Sequence, residues 1–268
     1  MNSVIKIILP KDEFKMKVQR IQAIENLIHE KGSISLDDLC EQFNVSKNTV
    51  RRDIAKLLQK NTIQKVYGGV VSVYNNPEEI RPFENRDTEN HTEKQLIGKA
   101  AADFIEENDL IFIDSGTTTS CLAAALPTDK DITIITNSLD VINFASEMDN
   151  VKLIVIGSTF KTSTKSFVGV ENWGFFEKYN ITKAFMAATA LSTTHGVMNS
   201  DILEYEIKRH MMEKAREKFL LVDHTKVDKS ALLTYGELAE FDWLVTSKDM
   251  AGGCLGYCED VGVLVRLV

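Results

Sequence analysis

Apolar residues near the start of the chain recur at helical intervals. Val18, Ile21, Ile24, Leu27 and Ile28 mark one amphipathic helix. Leu36, Leu39, Cys40 and Phe43 share a face of a second, and Val50, Ile54 and Leu57 share a face of a third at i, i+4 and i+7. A tight turn is predicted at Phe43-Asn44-Val45-Ser46, with Ser46 placed as an N-cap whose hydroxyl takes an orphan amide. The pattern then becomes strand-like over residues 62–67 and 70–74, joined at Gly68-Gly69, where glycine permits the positive φ of a tight hairpin. Three helices and a hairpin predict a winged helix-turn-helix over residues 15–75.

Periodicity breaks at residues 75–82, where Pro77 and Pro82 stand among polar residues, and a linker is expected over 76–89. Beyond it a helix is predicted over 92–105, carrying Leu96, Ile97, Ala100, Ala101 and Phe104. Short Ile- and Val-rich runs follow at 110–114, 132–136, 151–156, 183–187, 218–222, 243–246 and 261–265. Helical stretches intervene at 120–126, 138–147 and 201–215. Strands apolar on both faces with helical crossovers predict an α/β domain with a mostly parallel sheet over 90–268. No internal repeat or low-complexity tract interrupts it.

Charge sharpens this division. The whole chain of 268 residues carries −8, which argues against a simple nucleic-acid coat. Residues 1–76 hold 12 Lys and Arg against 8 Asp and Glu, whereas residues 77–268 hold 19 against 31. A basic end on an acidic body suggests that the first part alone touches DNA, with modest sequence-independent attraction. No apolar run approaches the roughly 20 residues that span a membrane. The apolar streak Val4, Ile5, Ile7, Ile8, Leu9 is too short for a signal peptide and runs into Lys11, Asp12 and Glu13, so it reads as a leader or a packed strand. Cys40, Cys121, Cys254 and Cys258 have no partners at metal-ligand spacing, and reduced thiols in a cytoplasmic protein are expected.

Candidate chemistry falls in two places. Lys47, Asn48, Arg51 and Arg52 project from the third helix opposite its apolar stripe, presenting amide and guanidinium groups to phosphates and base edges. The ordinary alternative is an αα-hairpin with a solvated charged face. The wing would set Lys65 and Tyr67 against the DNA backbone or minor groove. In the body, residues 110–114 lead through Ser115-Gly116-Thr117-Thr118-Thr119-Ser120 into a helix. A strand, a hydroxyl-rich turn and a helix N-terminus make an anion cradle, or else a hydroxyl-capped helix with no ligand. The segment lacks the P-loop and dinucleotide signatures, so a single phosphate fits better than a nucleoside triphosphate. Asn137, Gly157, Asp223 and Lys226 follow other strands, and ligands bind outside the carboxyl ends of parallel strands.

Ser46-Lys47-Asn48-Thr49-Val50-Arg51-Arg52-Asp53 and Tyr67-Gly68-Gly69 resemble the DNA-binding part of the DeoR family of bacterial transcription regulators. Asn90, Glu93-Lys94, residues 114–119, Thr136-Asn137-Ser138-Leu139 and Glu206-Ile207-Lys208-Arg209 resemble that family's effector domain. The resemblance spans about Val18 to Met250. It implies a cytoplasmic operon regulator, usually a repressor, whose sensor domain is similar in fold to ribose-5-phosphate isomerase and binds a phosphorylated sugar. It implies DNA contacts from Lys47, Asn48, Thr49, Arg51, Arg52, Lys65, Tyr67, Gly68 and Gly69. It implies effector contacts from Asp114, Ser115, Gly116, Thr117, Thr118 and Thr119 at the phosphate, and from Asn137, Lys208, Asp223 and Lys226 at the sugar. The sequence departs from the family pattern at Thr189, where an acid is common, and at Ser158, where the family usually has glycine.

The reading is therefore a sugar-phosphate-responsive repressor of a carbohydrate operon, with no catalytic residues, no metal and no cofactor. A homodimer or homotetramer is expected on repeated half-sites. The alternative from another class is a sugar-phosphate isomerase with an appended DNA-binding domain, for which Glu204, Glu206 and Asp223 are candidate bases. A protein-binding module with a degenerate pocket is a third.

Overall fold

A computed structural model describes residues 20–21, 23–25, 27–28, 33–59, 63–66, 69–72 and 83–268. These divide into two compact units, residues 1–79 and 80–268. Val18, Tyr67, Gly68, the hairpin beyond residue 72 and residues 76–82 of the expected linker lie outside the described residues.

In the first unit the described positions between 20 and 28 are helical. Strand β1 (Ser33–Ser35) precedes helix α1 (Leu36–Phe43). The Ser35 hydroxyl caps α1 by accepting from the Asp38 amide, and Asn44 ends it in the left-handed region at φ 49°. Helix α2 (Lys47–Gln59) starts after Ser46, whose hydroxyl accepts from the Thr49 amide at 3.3 Å. Strands β2 (Ile63–Val66) and β3 (Gly69–Ser72) form the hairpin, and β1 joins it as a third antiparallel strand beside β3. The register pairs Val66 with Gly69, so Gly69 belongs to β3 rather than to the expected Gly68-Gly69 turn. Gly69 serves packing instead: a Cβ there would meet the Ile34 carbonyl at 2.6 Å. The predicted apolar stripes converge on one core of Ile21, Ile24, Ile28, Leu39, Val50, Ile54, Leu57, Ile63 and Val70. Arg20 donates to Asp53 at 2.8 Å and ties the first helix to α2.

The second unit opens with helix α3 (Phe83–Thr88), inside the stretch expected to be a linker, and buries Phe83. Helix α4 (His91–Ala102) follows. Strands β4 (Leu110–Ile113), β5 (Ile132–Thr136) and β6 (Val151–Val155) alternate with helices α5 (Thr117–Ala123) and α6 (Leu139–Ala145). A hairpin of β7 (Thr159–Lys161) and β8 (Ser166–Val168) comes next. Strand β9 (Lys183–Ala187) returns to the main sheet. Strands β10 (Ala190–Ser192) and β11 (Gly196–Asn199) lead into helix α7 (Ile202–Lys214), then β12 (Glu217–Leu221). Strands β13 (Leu233–Gly236) and β14 (Trp243–Thr246), helix α8 (Gly252–Val261) and strand β15 (Leu264–Leu267) complete the unit.

The main sheet has seven strands in the order β15-β14-β12-β9-β4-β5-β6, and every described pairing in it is parallel. Alternation along β4 sends Ile111 and Ile113 to one face and Phe112 to the other. Ile97 and Ala101 of α4 and Leu122 of α5 pack on the first face. Ile207 and Met211 of α7 and Cys254 and Cys258 of α8 pack on the second. With both faces covered, polar chemistry is left to the strand ends. All four cysteines are free, and burial of Cys121 pushes its thiol up to about 11. Among the described residues no helix is long and apolar enough to cross a membrane.

Candidate functional site

On the first unit Lys47, Asn48, Arg51 and Arg52 are all exposed on α2, while Val50, Ile54 and Leu57 of the same helix are buried. Thr49 is half-buried and bonds Ser46 through its hydroxyl at 3.0 Å. This segregation gives α2 a cationic, hydrogen-bonding outer face on a rigid apolar base. Lys65 stands in β2 across from Val70.

On the second unit the carboxyl ends of β4, β5 and β9 bring buried polar residues together. Asp114 extends β4, its amide donating to the Phe185 carbonyl. Its carboxylate accepts from the Ala187 amide at 2.9 Å and pairs with the Lys208 ammonium of α7. Lys208 also donates to the Ala187 carbonyl at 2.9 Å and lies 5.1 Å from the centre of the Tyr235 ring. The Tyr235 hydroxyl donates to that same carbonyl. Burial, and then the nearby Asp114 charge, push the Tyr235 hydroxyl far above its usual range. Lys208 is thus committed inside the protein, tying α7 to β4 and β9.

Gly116 is the N-cap of α5, with φ −79°, so the turn needs no left-handed residue. Glycine is needed there for space: a Cβ would stand 2.2 Å from the Ala187 Cβ. As a cap Gly116 offers no side chain to the first-turn amides of α5. Thr117, Thr118 and Thr119 are buried. The Thr119 hydroxyl donates back to the carbonyls of Asp114 and Gly116, at 2.7 and 2.8 Å, and Ser120 does likewise to Gly116. Those two hydroxyls stiffen the loop, leaving its first backbone amides and the Thr117 and Thr118 hydroxyls as the remaining donors.

Next to this loop, the Asn137 side-chain amide donates to the Ser115 hydroxyl at 3.4 Å. Ser115 in turn donates to Glu204 at 3.2 Å, and Ser166 of β8 donates to the same Glu204 oxygen at 2.7 Å. The Asn137 Oδ1 is buried without a partner. Asp223 and Lys226 gather elsewhere, beyond β12. Asp223 caps the turn after that strand through Thr225 and accepts from Asn90 at 3.4 Å. Lys94 of α4 is buried, donates to the Arg86 carbonyl, and feels the charges of Asp223 and Lys226. Desolvation lowers its pKa against the opposing pull of Asp223. The Asp223 carboxyl is pushed up by burial, but Thr225, Lys226 and Lys94 more than offset this and hold it below the usual range.

The site residues therefore form two clusters, one around Asp114, Ser115, Asn137 and Lys208, the other around Asp223 and Lys226. Sequence reasoning missed Ser166 and Tyr235 as members of the first, named Glu204 only as a candidate base, and quoted Lys94 only within the family motif. The signal for Glu204 was present: Asp201, Glu204 and Lys208 sit at i, i+3 and i+7, a polar stripe on a helix that also buries Ile207, Met211 and Met212. Of the two sequence departures, Thr189 donates to Asn199 at 3.3 Å, and Ser158 is bonded to Gly169 at the end of β8. Ligand atoms of Glu93, Asp223 and His224 lie within 4.8 Å of one another. Glu93 there already accepts from the amide and ring of His224, at 2.9 Å each, and the cations Lys94 and Lys226 crowd Asp223. The group is satisfied by its own contacts and fits a cation poorly.

Residues 20–76 match the DeoR-like helix-turn-helix domain, and residues 89–248 match the DeoR C terminal sensor domain. The chain belongs to the DeoR family. Its members regulate transcription through the DNA-binding unit and sense through the α/β unit, and this chain carries both. It is 50% identical over 94% of its length to the HTH-type transcriptional regulator IolR of Bacillus subtilis, all of which is covered. It is 33% identical to the lactose phosphotransferase system repressor of Staphylococcus aureus, with 85% of this chain and 91% of that one covered. Ribose 5-phosphate isomerase A of Methanocaldococcus jannaschii aligns to 52% of this chain and 55% of its own at 16% identity and a TM-score of 0.40.

Proposed function

We propose that this DeoR-family chain is a cytoplasmic repressor of a carbohydrate-utilisation operon, released from its operator by a phosphorylated sugar. The DNA-binding unit is taken as residues 15–75 and the sensor as 90–268, working as a homodimer or homotetramer on repeated half-sites. The observation that carries the reading is the loop 114–120. It follows a central parallel strand, opens a helix whose first amides lack a side-chain cap, and holds a glycine where any Cβ would collide with Ala187. Such a loop receives an anion on backbone amides. The repressor relative of Staphylococcus aureus supports the direction of control.

DNA contacts are assigned to Lys47, Asn48, Thr49, Arg51 and Arg52, with Lys65, Tyr67, Gly68 and Gly69 in the wing. The phosphate is assigned to residues 115–119, and the sugar to Asn137, Asp223 and Lys226, with Lys94 added. Asp114 and Lys208 hold the frame. A regulator is favoured over an isomerase because each buried acid near the loop is engaged: Asp114 by Lys208, Glu204 by two hydroxyls, Asp223 by Asn90 and Thr225. Glu204 keeps an oxygen without a protein donor among the described residues, and turnover in the assay below would make it the base. The test is operator binding by the full chain, titrated with a panel of sugar phosphates and the matching free sugars. Release by a phosphorylated member and not by its free sugar is expected. No release by any member, with turnover of one of them, would mean an enzyme.

A further inference from the structure

Glu204 sits in a place that a phosphate would avoid. It is a buried carboxylate one hydrogen bond from Ser115, in the middle of the loop just assigned to an anion. Lys208, the nearest buried cation on the same helix face, is already paired with Asp114. The charge of Glu204 is held by hydroxyl donors, Ser115 and Ser166, both on its Oε1. Its Oε2 has no protein donor among the described residues. One residue away across Ser115, the Asn137 Oδ1 is buried and has no donor either.

Both residues bond the Ser115 hydroxyl, and of their open acceptors the Asn137 Oδ1 is the one that is fully buried. A buried acceptor without a donor is costly, and native sites supply the donor from solvent or ligand. A phosphate dianion has no proton to give, but an alcohol has. A carboxylate can accept several hydroxyls at once, and an amide oxygen accepts one or two more. Ser115 and Ser166 give their single protons to the Glu204 Oε1, so they hold the carboxylate in place and leave its other oxygen to a ligand hydroxyl.

We propose that Glu204, Asn137 and Ser166 form a hydroxyl-reading subsite, which selects effectors bearing free alcohol groups adjacent to the phosphate-binding loop. This rests on the sugar-phosphate reading and extends it. Affinity comes from the phosphate, and discrimination comes from hydroxyls presented to Glu204. Polar sites of this kind discriminate strongly, because an analogue lacking the hydroxyl leaves the buried acceptors unpaired. Glu204 is placed for this by its own helix. Asp201 caps the first turn of α7 and accepts from the Glu204 amide at 3.1 Å, while its carboxylate pairs with Lys161 of β7. Helix and hairpin are thereby joined on either side of the carboxylate.

The test is calorimetry on the full chain with inorganic phosphate, propyl phosphate, glycerol 3-phosphate and glucitol 6-phosphate. Wild-type protein is expected to bind glucitol 6-phosphate at least 10-fold more tightly than propyl phosphate. Glu204→Gln keeps the shape and the acceptor for Ser115 and Ser166 but loses the charge. It is expected to reduce that preference by 10-fold or more without weakening inorganic phosphate. Ser166→Ala should reduce it less, because the carboxylate remains. Melting of the unliganded variants and their operator affinity check that both units are folded; a purely structural role for Glu204 would lower the melting temperature and weaken all four probes alike, overturning the proposal. An undiminished preference in Glu204→Gln also overturns it, leaving the sugar-phosphate reading intact. So does equal wild-type binding of propyl and glucitol phosphates. If magnesium or calcium alone raises the melting temperature and Glu204→Gln removes the effect, the acceptors serve a cation and the proposal is wrong. If no probe binds, inorganic phosphate included, the sugar-phosphate reading fails together with it.

Discussion

The two units carry their chemistry on opposite sides of their cores. In the DNA-binding unit the working groups, Lys47, Asn48, Arg51 and Arg52, stand in solvent on the back of an apolar stripe. In the sensor the working groups are buried: Asp114 pairs with Lys208, and Ser115 bonds Asn137 and Glu204, all nearly inaccessible. A reader of a large, solvated polyanion needs reach and exposed charge. A reader of a small ligand needs fixed groups from which water is excluded. The contrast teaches that function and stability are separable on α2 and inseparable at the strand ends, and each change below tests one side of it.

The largest expected effect is at Lys208. Lys208→Ala strands the Asp114 carboxylate in the core, and breaking a buried pair in this way costs about 3–5 kcal/mol. Chemical denaturation of the full chain should show the loss on the sensor's transition. Asp114→Asn with Lys208→Met, which leaves no charge uncompensated, should recover a good part of it. A loss below about 1 kcal/mol for Lys208→Ala would show that the pair is hydrated and that the two units are less different than their burial implies.

Gly116→Val comes next. Its Cβ would fall 2.2 Å from that of Ala187, so the loop must move, and overpacking of this kind costs about 1–3 kcal/mol. Because the moved atoms are those that would meet the effector, the variant should hold its operator and ignore inducer in a titration of the complex. Retained induction would mean that the effector binds elsewhere.

On the exposed side, Arg51→Ala and Arg52→Ala should leave melting within about 0.5 kcal/mol of wild type, as surface substitutions do. An arginine that reads a guanine should lose roughly 1–3 kcal/mol of operator affinity and relax one base position. One that holds phosphate should lose affinity evenly and flatten the salt dependence. If both variants bind operator as wild type does, α2 is not the recognition helix.

The same contrast governs what the sequence reveals. The helix-turn-helix is legible because burial and polarity separate cleanly on α1 and α2, and even the Ser46 cap forms as read. Strand β1 escapes notice because three residues are too few for a period, and with it the close approach that explains Gly69. In the sensor the central strands are plain Ile and Val runs. Helix α8 is hidden, since Gly252, Gly253 and Gly256 read as loop and only the packing of Cys254 and Cys258 marks its buried face. The loop 114–120 and Asn137 stand at strand ends, where position alone suggests a ligand. The partners that turn them into a site, Glu204, Ser166 and Tyr235, lie 29 or more residues away from Asn137 along the chain. Only the parallel crossovers bring them in. Lys208 shows what residue type alone leaves out: a lysine by a phosphate loop suggests a ligand contact, and its pairing with the buried Asp114 is visible only in the fold.

The smallest effect is a dependence on pH that the exposed face cannot show. Asp223 has its carboxyl held below the usual range, chiefly by Thr225 and the charges of Lys226 and Lys94 against the opposing effect of burial. A carboxyl with a lowered folded pKa adds stability above its unfolded value of about 3.9, and this contribution disappears as pH falls through the lower folded value. Asp223→Asn keeps an acceptor for Asn90 and Thr225 but cannot titrate. The wild type should therefore be more stable than the variant at pH 7, and the gap should narrow below about pH 4 and nearly close below the folded pKa. The matching pair on the other unit, Arg51→Ala against wild type, should show no such convergence, since its charge is solvated in both states. Thermal melts of the three proteins from pH 3 to pH 7 decide it. A gap for Asp223→Asn that stays constant over this range would mean that the carboxylate contributes through shape and hydrogen bonds alone, and that Lys94 and Lys226 do not act on it as charges.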